Sequence, residues 1–263
     1  MQYLIRFIHT LYLIIKGFFL PRNIIYKSKR LDIQLYLRLD YLIDFLIYIN
    51  DCFQPEIIRV LKELCEEKNI THFIDVGSHI GQMSIFVAKN FPNITVWSFE
   101  PNSITYKQQI KNVELNKVDI ITENIGFADQ SKKLWLEKKI RREFAEYFKI
   151  NDGVCFTSEN SHSDLEMMCL TLDKINEKIT VASKFLIKID VEGSEIDVLK
   201  GGYELLNRSN IIIIIELLFE SNMDKCQECI TLLKRLGYKI YDLKYAEIND
   251  YSYLNGDYIF MKS

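Results

Sequence analysis

Two groups of acidic residues, each at the end of a short apolar run, carry the chemistry legible in this sequence. The first begins in Phe73-Ile-Asp75-Val-Gly77-Ser78-His79-Ile-Gly81 and continues in Glu100-Pro101-Asn102. Gly77 allows a sharp turn after the run, and Gly81 allows close packing of the helix that follows. The free amides at such a helix start hold an anion. Glu100 ends the next apolar run, where an acid can accept both hydroxyls of a ribose. Pro101 suits the first turn of another helix, and Asn102 either caps that helix or meets a ligand.

The spacing decides the ligand's charge. Gly-x-x-x-Gly lacks the middle glycine that admits a pyrophosphate, and His79 stands in its place. Asp75 repels a pyrophosphate but suits a nucleoside carrying an ammonium and a sulfonium. S-adenosylmethionine (SAM) has both, and its carboxylate takes the helix amides. Ser78 and His79 belong to the same ligand-facing turn. Asp75 as a plain turn cap is the structural alternative. Asn124-Ile125-Gly126-Phe127 leaves the third run; there Asn124 offers an adenine a hydrogen-bonding edge and Ile125 an apolar wall, although turn residues need no ligand.

The second group is Lys188-Ile-Asp190-Val-Glu192-Gly193-Ser194-Glu195. Strand alternation puts Lys188, Asp190 and Glu192 on one face. Three ionisable groups on a central strand are costly unless paired. Asp190 and Glu192 are expected to face the sulfonium or the acceptor, with Lys188 pairing beneath them. The alternative is a self-satisfied ion pair, with Glu192 capping the next helix. Methyl transfer is an in-line displacement helped by removing a proton from a hydroxyl acceptor. Glu192, Asp190 or His79 can be that base, and His79 has the most suitable intrinsic pKa. Glu216, ending the fifth run, is a further lining residue. The fourth strand lacks the Asn/Asp-Pro-Pro-Tyr/Phe ending expected for nucleobase amine methylation. No metal is expected: Cys226-x-x-Cys229 has no second pair and shares a helix with Ile230, Leu233 and Leu236, so its thiols read as core.

Strands are expected at 72–77, 94–99, 118–123, 184–191, 210–217, 237–243 and 257–262, and helices at 81–91, 102–115, 194–207 and 223–236. Their alternation predicts a doubly wound, mostly parallel seven-stranded α/β sheet whose last strand runs antiparallel. The uninterrupted run Ile211 to Ile215 implies strands covered on both faces. Residues 1–65 read as an N-terminal helical extension, with Leu35, Leu39, Leu42, Ile43, Leu46 and Ile47 at helical spacing and a second helix through Ile57, Val60, Leu61 and Leu64. Residues 66–263 form the main domain. Its insertion at 127–183 carries Trp135, Phe144, Tyr147, Phe148 and Phe156 among charges, and reads as a substrate-side cover or a surface excursion.

The 263 residues suit one α/β domain with additions, and 48% hydrophobic with 26% charged residues suits a protein with a substantial core. A net charge of −3 leaves no basic footprint for nucleic acid. The six scattered cysteines read as reduced thiols of a cytoplasmic protein. In residues 3–20, Arg6, His9, Thr10 and Lys16 share one helical side. The longest uncharged run, from Phe7 to Ile15, falls far short of the ~20 apolar residues of a spanning helix, and no signal-type cleavage site follows. Such a helix either lies on the inner membrane face or packs on its own domain or a second subunit.

With these motifs in place, the chain resembles the FkbM-type SAM-dependent methyltransferases over roughly residues 40–220. The resemblance rests on FIDVGSHIG, FEPN, Thr171-Leu172-Asp173, and KIDVEGSE followed by an apolar strand ending in Glu216. It implies a class I methyltransferase fold. It also implies SAM contacts at Asp75, Gly77, Gly81 and Glu100, an acidic site at Asp190 and Glu192, and an O-methyl acceptor ranging from macrolide to glycan hydroxyls. His79 departs from the asparagine more usual there. The expected activity is methylation of a hydroxyl, on a sugar of a surface glycan or its precursor. The rivals are a nicotinamide-dependent sugar oxidoreductase and a non-catalytic partner that docks glycan enzymes to a membrane.

Overall fold

The computed structural model describes residues 21–138, 155–158, 166–178, 183–251 and 254–262. Its centre is a sheet of β3 (His72–Val76), β4 (Thr95–Phe99), β5 (Ile121–Glu123), β10 (Phe185–Ile189), β11 (Ile211–Leu218), β12 (Tyr238–Tyr241) and β13 (Asn255–Lys262). The order is β12-β13-β11-β10-β3-β4-β5. Neighbours from β11 through β5 pair parallel, whereas β13 runs antiparallel to β11 and β12. This is the expected doubly wound, mostly parallel sheet, with its last strand reversed.

The isoleucine run shows why the sheet is buried on both sides. Ile211, Ile213 and Ile215 join Ile74, Val76, Ile187 and Ile189 in one core. Helices α5 (Glu195–Gly201), α6 (Tyr203–Leu206) and α7 (Phe219–Arg235) close that side through residues such as Ile196, Leu205 and Leu233. Ile212 and Ile214 point the other way, with Phe73 and Leu186, into a second core. That core is closed by α2 (Pro55–Glu67) and α3 (Gln82–Asn90). Alternate side chains of one strand thus feed two cores. Burying each such isoleucine contributes roughly 1.5–3 kcal/mol.

The N-terminal extension differs from expectation. The described residues before α1 (Leu42–Asn50), from 21 onward, form a hairpin of β1 (Asn23–Ser28) and β2 (Ile33–Arg38), not a helix. Ile33, Leu35 and Leu37 are buried while Gln34 is exposed and Tyr36 and Arg38 are half-buried. Period two therefore prevails over the helical spacing of Leu35 and Leu39, because the second core lies on one side of this ribbon only. Asp51 secures the hairpin turn: its carboxylate accepts from the Lys29 and Arg30 amides and the Tyr26 hydroxyl. Residues 3–20 lie outside the described residues.

Helix α4 (Ser103–Asn116) buries Thr105, Gln108, Gln109 and Asn112 in place of an apolar stripe. Asn112 and Asn116 accept from the Tyr36 and Gln34 amides, covering the open edge of β2. The 127–183 segment builds a second sheet from β6 (Gly126–Phe127), β7 (Lys132–Lys138), β8 (Cys155–Ser158) and β9 (Glu166–Leu170), in the order β6-β9-β7-β8. Trp135 lies on β7 and Phe156 on β8; Phe144, Tyr147 and Phe148 lie outside the described residues. The helix expected at 194–207 divides at Gly202, whose place leaves no room for a Cβ: one would sit 2.8 Å from Leu172 Cδ2.

Candidate active site

The carboxyl ends of β3, β4, β10 and β11 open on one cavity, and both acidic groups reach it. Asp75, Gly77, Ser78, His79, Glu100, Pro101, Asn102, Ile125, Lys188, Asp190, Glu192 and Glu216 all line it. Gly81 and Asn124 do not. Gly81, at φ +83°, brings α3 against α4, with Gln109 Cγ 3.0 Å from where its Cβ would be. Asn124 donates to the carbonyls of Glu100 and Pro101 at 2.8 and 3.0 Å, so it shapes the turn beside the cavity.

The turn after β3 is fixed from three sides. Gly77 and Ser78 amides both donate to the Phe99 carbonyl at 3.0 Å. Gln109 of α4 donates to Ser78 Oγ, and Asn112 to the Ile80 carbonyl. Gly77 is at φ +81°, and a Cβ there would fall 1.9 Å from the Asp190 carbonyl oxygen. The turn after β3 and the turn after β10 therefore touch through a glycine. His79 takes a left-handed φ of 52° between the two glycines, and its amide donates to Glu100 Oε2 at 2.9 Å. The other oxygen of Glu100 accepts from the Asn102 amide at 2.8 Å. Glu100 is thus buried and oriented by two amides, and each oxygen has a further lone pair for a hydroxyl donor. Asn102 caps α4 by accepting from the Ile104 amide, while also lining the cavity.

Asp75 is 1% exposed. Its Oδ2 accepts from Ser84 Oγ at 2.6 Å, but Oδ1 is buried without a hydrogen-bond partner. Burial pushes its pKa up, against the pull of Lys188 and Ser84. Lys188 stands beside it in register on β10 and places Nζ 2.9 Å from Asp190 Oδ2. Burial alone would lower the lysine; Asp190 and Asp75 outweigh it and hold the ammonium charged. The expected pairing of Lys188 beneath Asp190 is present. The expected common face is not, because β10 ends at Ile189. Asp190 and Glu192 instead reach the cavity from the following turn, with Glu192 at a left-handed φ of 55°. The start of α5 is braced by Glu195, which accepts from the Gly193 amide at 2.9 Å.

The chemistry assigned to His79 changes. Burial, with Arg38 nearby, lowers its pKa to about 4, so the imidazole is neutral and only weakly basic. Glu216 moves the other way, to about 8, through burial and then the charges of Asp190, Asp257 and Glu192, with Lys188 opposing. Asp257 escaped the sequence reading. It lies opposite Glu216 in the β11–β13 register, and the signal available was a lone acid just before the apolar run Tyr258 to Met261. The extension also supplies cavity walls through Ile43, Ile47, Phe53 and Gln54. Gln82 holds that segment, its side-chain amide both accepting from and donating to the backbone of Phe53 at 2.9 Å. Cys226 and Cys229 sit in the first core, and burial raises both thiols.

The doubly wound sheet, with an acidic crevice at its switch point, has the architecture of a class I methyltransferase domain. The chain belongs to the FkbM methyltransferase family: the methyltransferase FkbM domain matches residues 75–240. It is 24% identical over 179 residues to Methyltransferase 1 of Beauveria bassiana, covering 60% of this chain and 72% of that protein. It is 26% identical over 161 residues to the hexuronic acid methyltransferase AglP of Haloferax volcanii, covering 61% of each. Among solved structures, the FkbM methyltransferase of Methylobacillus flagellatus aligns with a TM-score of 0.46 and 17% identity, over 73% of this chain and 44% of that one. The chain thus spans less than two thirds of the length of the Haloferax and Methylobacillus proteins.

Proposed function

We propose that the protein transfers the methyl group of SAM to a hydroxyl of a sugar, on a surface glycan or its precursor, in the cytoplasm. The observation that carries the reading is Asp75 Oδ1, a carboxylate oxygen buried at the cavity with no hydrogen-bond partner. A ligand ammonium supplies the missing donor, whereas a diphosphate would meet it with like charge. Glu100, held by two amides on the neighbouring strand, suits the ribose diol. Ser78, Pro101, Asn102 and Ile125 border the nucleoside, and Gly77, Gly81 and Asn124 shape its loops. Asp190 and Glu192 stand where the sulfonium and the acceptor meet, with Lys188 neutralising part of their charge.

When bound, SAM supplies an electrophilic methyl carbon on a positively charged sulfur. The chain's own residues orient the two reactants and exclude water, which is where most of the acceleration in such a displacement arises. The name of the Haloferax relative, a hexuronic acid methyltransferase, supports a sugar acceptor. The test is incubation with methyl-labelled SAM and a panel of nucleotide sugars, glycolipids and small polyols. The label should appear on a sugar. Label carried only to protein or nucleic acid would overturn the acceptor class.

A further inference from the structure

We propose that Glu216, paired across the sheet with Asp257, takes the proton of the acceptor hydroxyl, and that the acceptor group is therefore a neutral alcohol and not a carboxylate. This rests on the methyl-transfer reading above. Glu216 is the first charged residue of β11 after five buried isoleucines, and it lines the cavity that holds Asp75 and Glu100. Register sets Asp257 of β13 directly opposite it. Side chains in such positions lie within about 4.5–5.5 Å at Cβ, and like charges there are destabilising. A proton on Glu216 removes the repulsion. The groups facing Glu216 are Asp257 from β13, Asp190, Glu192 and Lys188 from β10 and its turn, and Cys226 from α7. Lys188 is committed to Asp190.

Of the other candidates for this role, His79, Glu100 and Asp190 are weaker, and Glu192→Gln, which should leave the raised Glu216 midpoint in place, is the control. His79 holds its proton only near pH 4. Glu100 is assigned to the ribose diol, its two oxygens oriented by the His79 and Asn102 amides. Asp190 is tied to Lys188 at 2.9 Å. An alcohol must lose its proton as it attacks. A carboxylate needs no base but needs a cation to hold it, and among the described residues the only lysine or arginine lining the cavity is Lys188, which is committed to Asp190. The step balances. The acceptor oxygen bonds to the methyl carbon as the carbon–sulfur bond breaks with its electron pair left on sulfur. The acceptor proton passes to Glu216.

The same geometry links the base to the donor. A sulfonium beside Glu216 favours its ionised form, so SAM should release the proton, while S-adenosylhomocysteine, with a neutral sulfur, should release much less. Carbon-13 NMR of protein labelled at glutamate side-chain carboxyls reads this directly. A glutamate midpoint near 8 is expected in the free protein, absent in Glu216→Gln and lowered in Asp257→Asn. Saturating SAM should lower it more than saturating S-adenosylhomocysteine. A midpoint at the ordinary glutamate value, unmoved by Asp257→Asn, would overturn the pair. Equal shifts with both ligands would overturn the base role alone, since calorimetry would still record SAM binding. No binding of either ligand would remove the methyl-transfer reading with it. The product gives a second readout: an alkali-stable methyl ether agrees, and an alkali-labile methyl ester contradicts.

Discussion

Asp75 concentrates the account at the scale of a single residue. It is an acid on a central strand with one oxygen on Ser84 and the other unmatched. An unsatisfied buried acceptor costs about 1–3 kcal/mol, and a charged hydrogen bond returns about 1.5–3. Asp75→Asn should therefore weaken SAM binding roughly 10- to 100-fold while leaving thermal stability equal or higher. Calorimetry and a melting curve on the same preparation check both halves. Unchanged affinity would reduce Asp75 to a turn support. Gly77 makes the complementary case, because its Cβ would occupy the place of the Asp190 carbonyl and its φ is +81°. Gly77→Ala should destabilise the fold by a few kcal/mol, about 2–4, and push the turn after β10 out of the cavity. A urea titration that shows less than about 0.5 kcal/mol of loss would contradict that contact.

Among the elements, the hairpin of β1 and β2 is held by polar contacts as well as by its apolar face in the second core. Asp44 of α1 is fully buried, accepting from the Arg38 amide at 2.7 Å and Gln108 Nε2 at 2.6 Å. Burial raises its pKa to about 6, outweighing these hydrogen bonds. The folded state then binds its proton more tightly than the unfolded chain. Stability from this group is complete below pH ~4 and is lost as the pH rises through about 6. Relative to Asp44→Asn, the native protein should lose up to roughly 3 kcal/mol between pH 4 and 7. Urea unfolding of both proteins at the two pH values measures the difference, and a pH-independent difference would contradict the assignment. The same elements show what sequence periodicity misses. Leu35 and Leu39 fit a helix and a strand equally, and only the second core beside Ile33, Leu35 and Leu37 decides. Helix α4 buries amides whose partners, the β2 edge and the turn after β3, are distant in sequence. By contrast, the strands of the parallel sheet were legible because continuous apolar runs have few other uses.

Across the whole molecule, the extension and the main domain share one core. Ile33, Leu35, Leu37, Ile47, Val60 and Leu64 pack in the cluster that holds Phe73, Ile85, Leu186 and Ile214. The division at residue 65 drawn from the sequence falls inside that cluster. Residues 66–263 expressed alone should therefore fail to melt cooperatively, while residues 21–263 should melt in one transition. A cooperative transition for the shorter fragment would restore the division. The acidic crevice was legible at this scale as well, because Asp75, Glu100 and Asp190 each lie within one residue of a strand's carboxyl end and a parallel sheet gathers those ends together. Asp257 was not, since its strand arrives reversed and only register places it beside Glu216.

The central claim is that this crevice prefers a cationic nucleoside to a diphosphate one. Isothermal calorimetry of the full chain with SAM, S-adenosylhomocysteine and NADH, side by side at neutral pH, tests it most directly. Saturable 1:1 heat with the two adenosyl ligands and none with NADH is the predicted result. Saturable binding of NADH, with SAM silent, would contradict it.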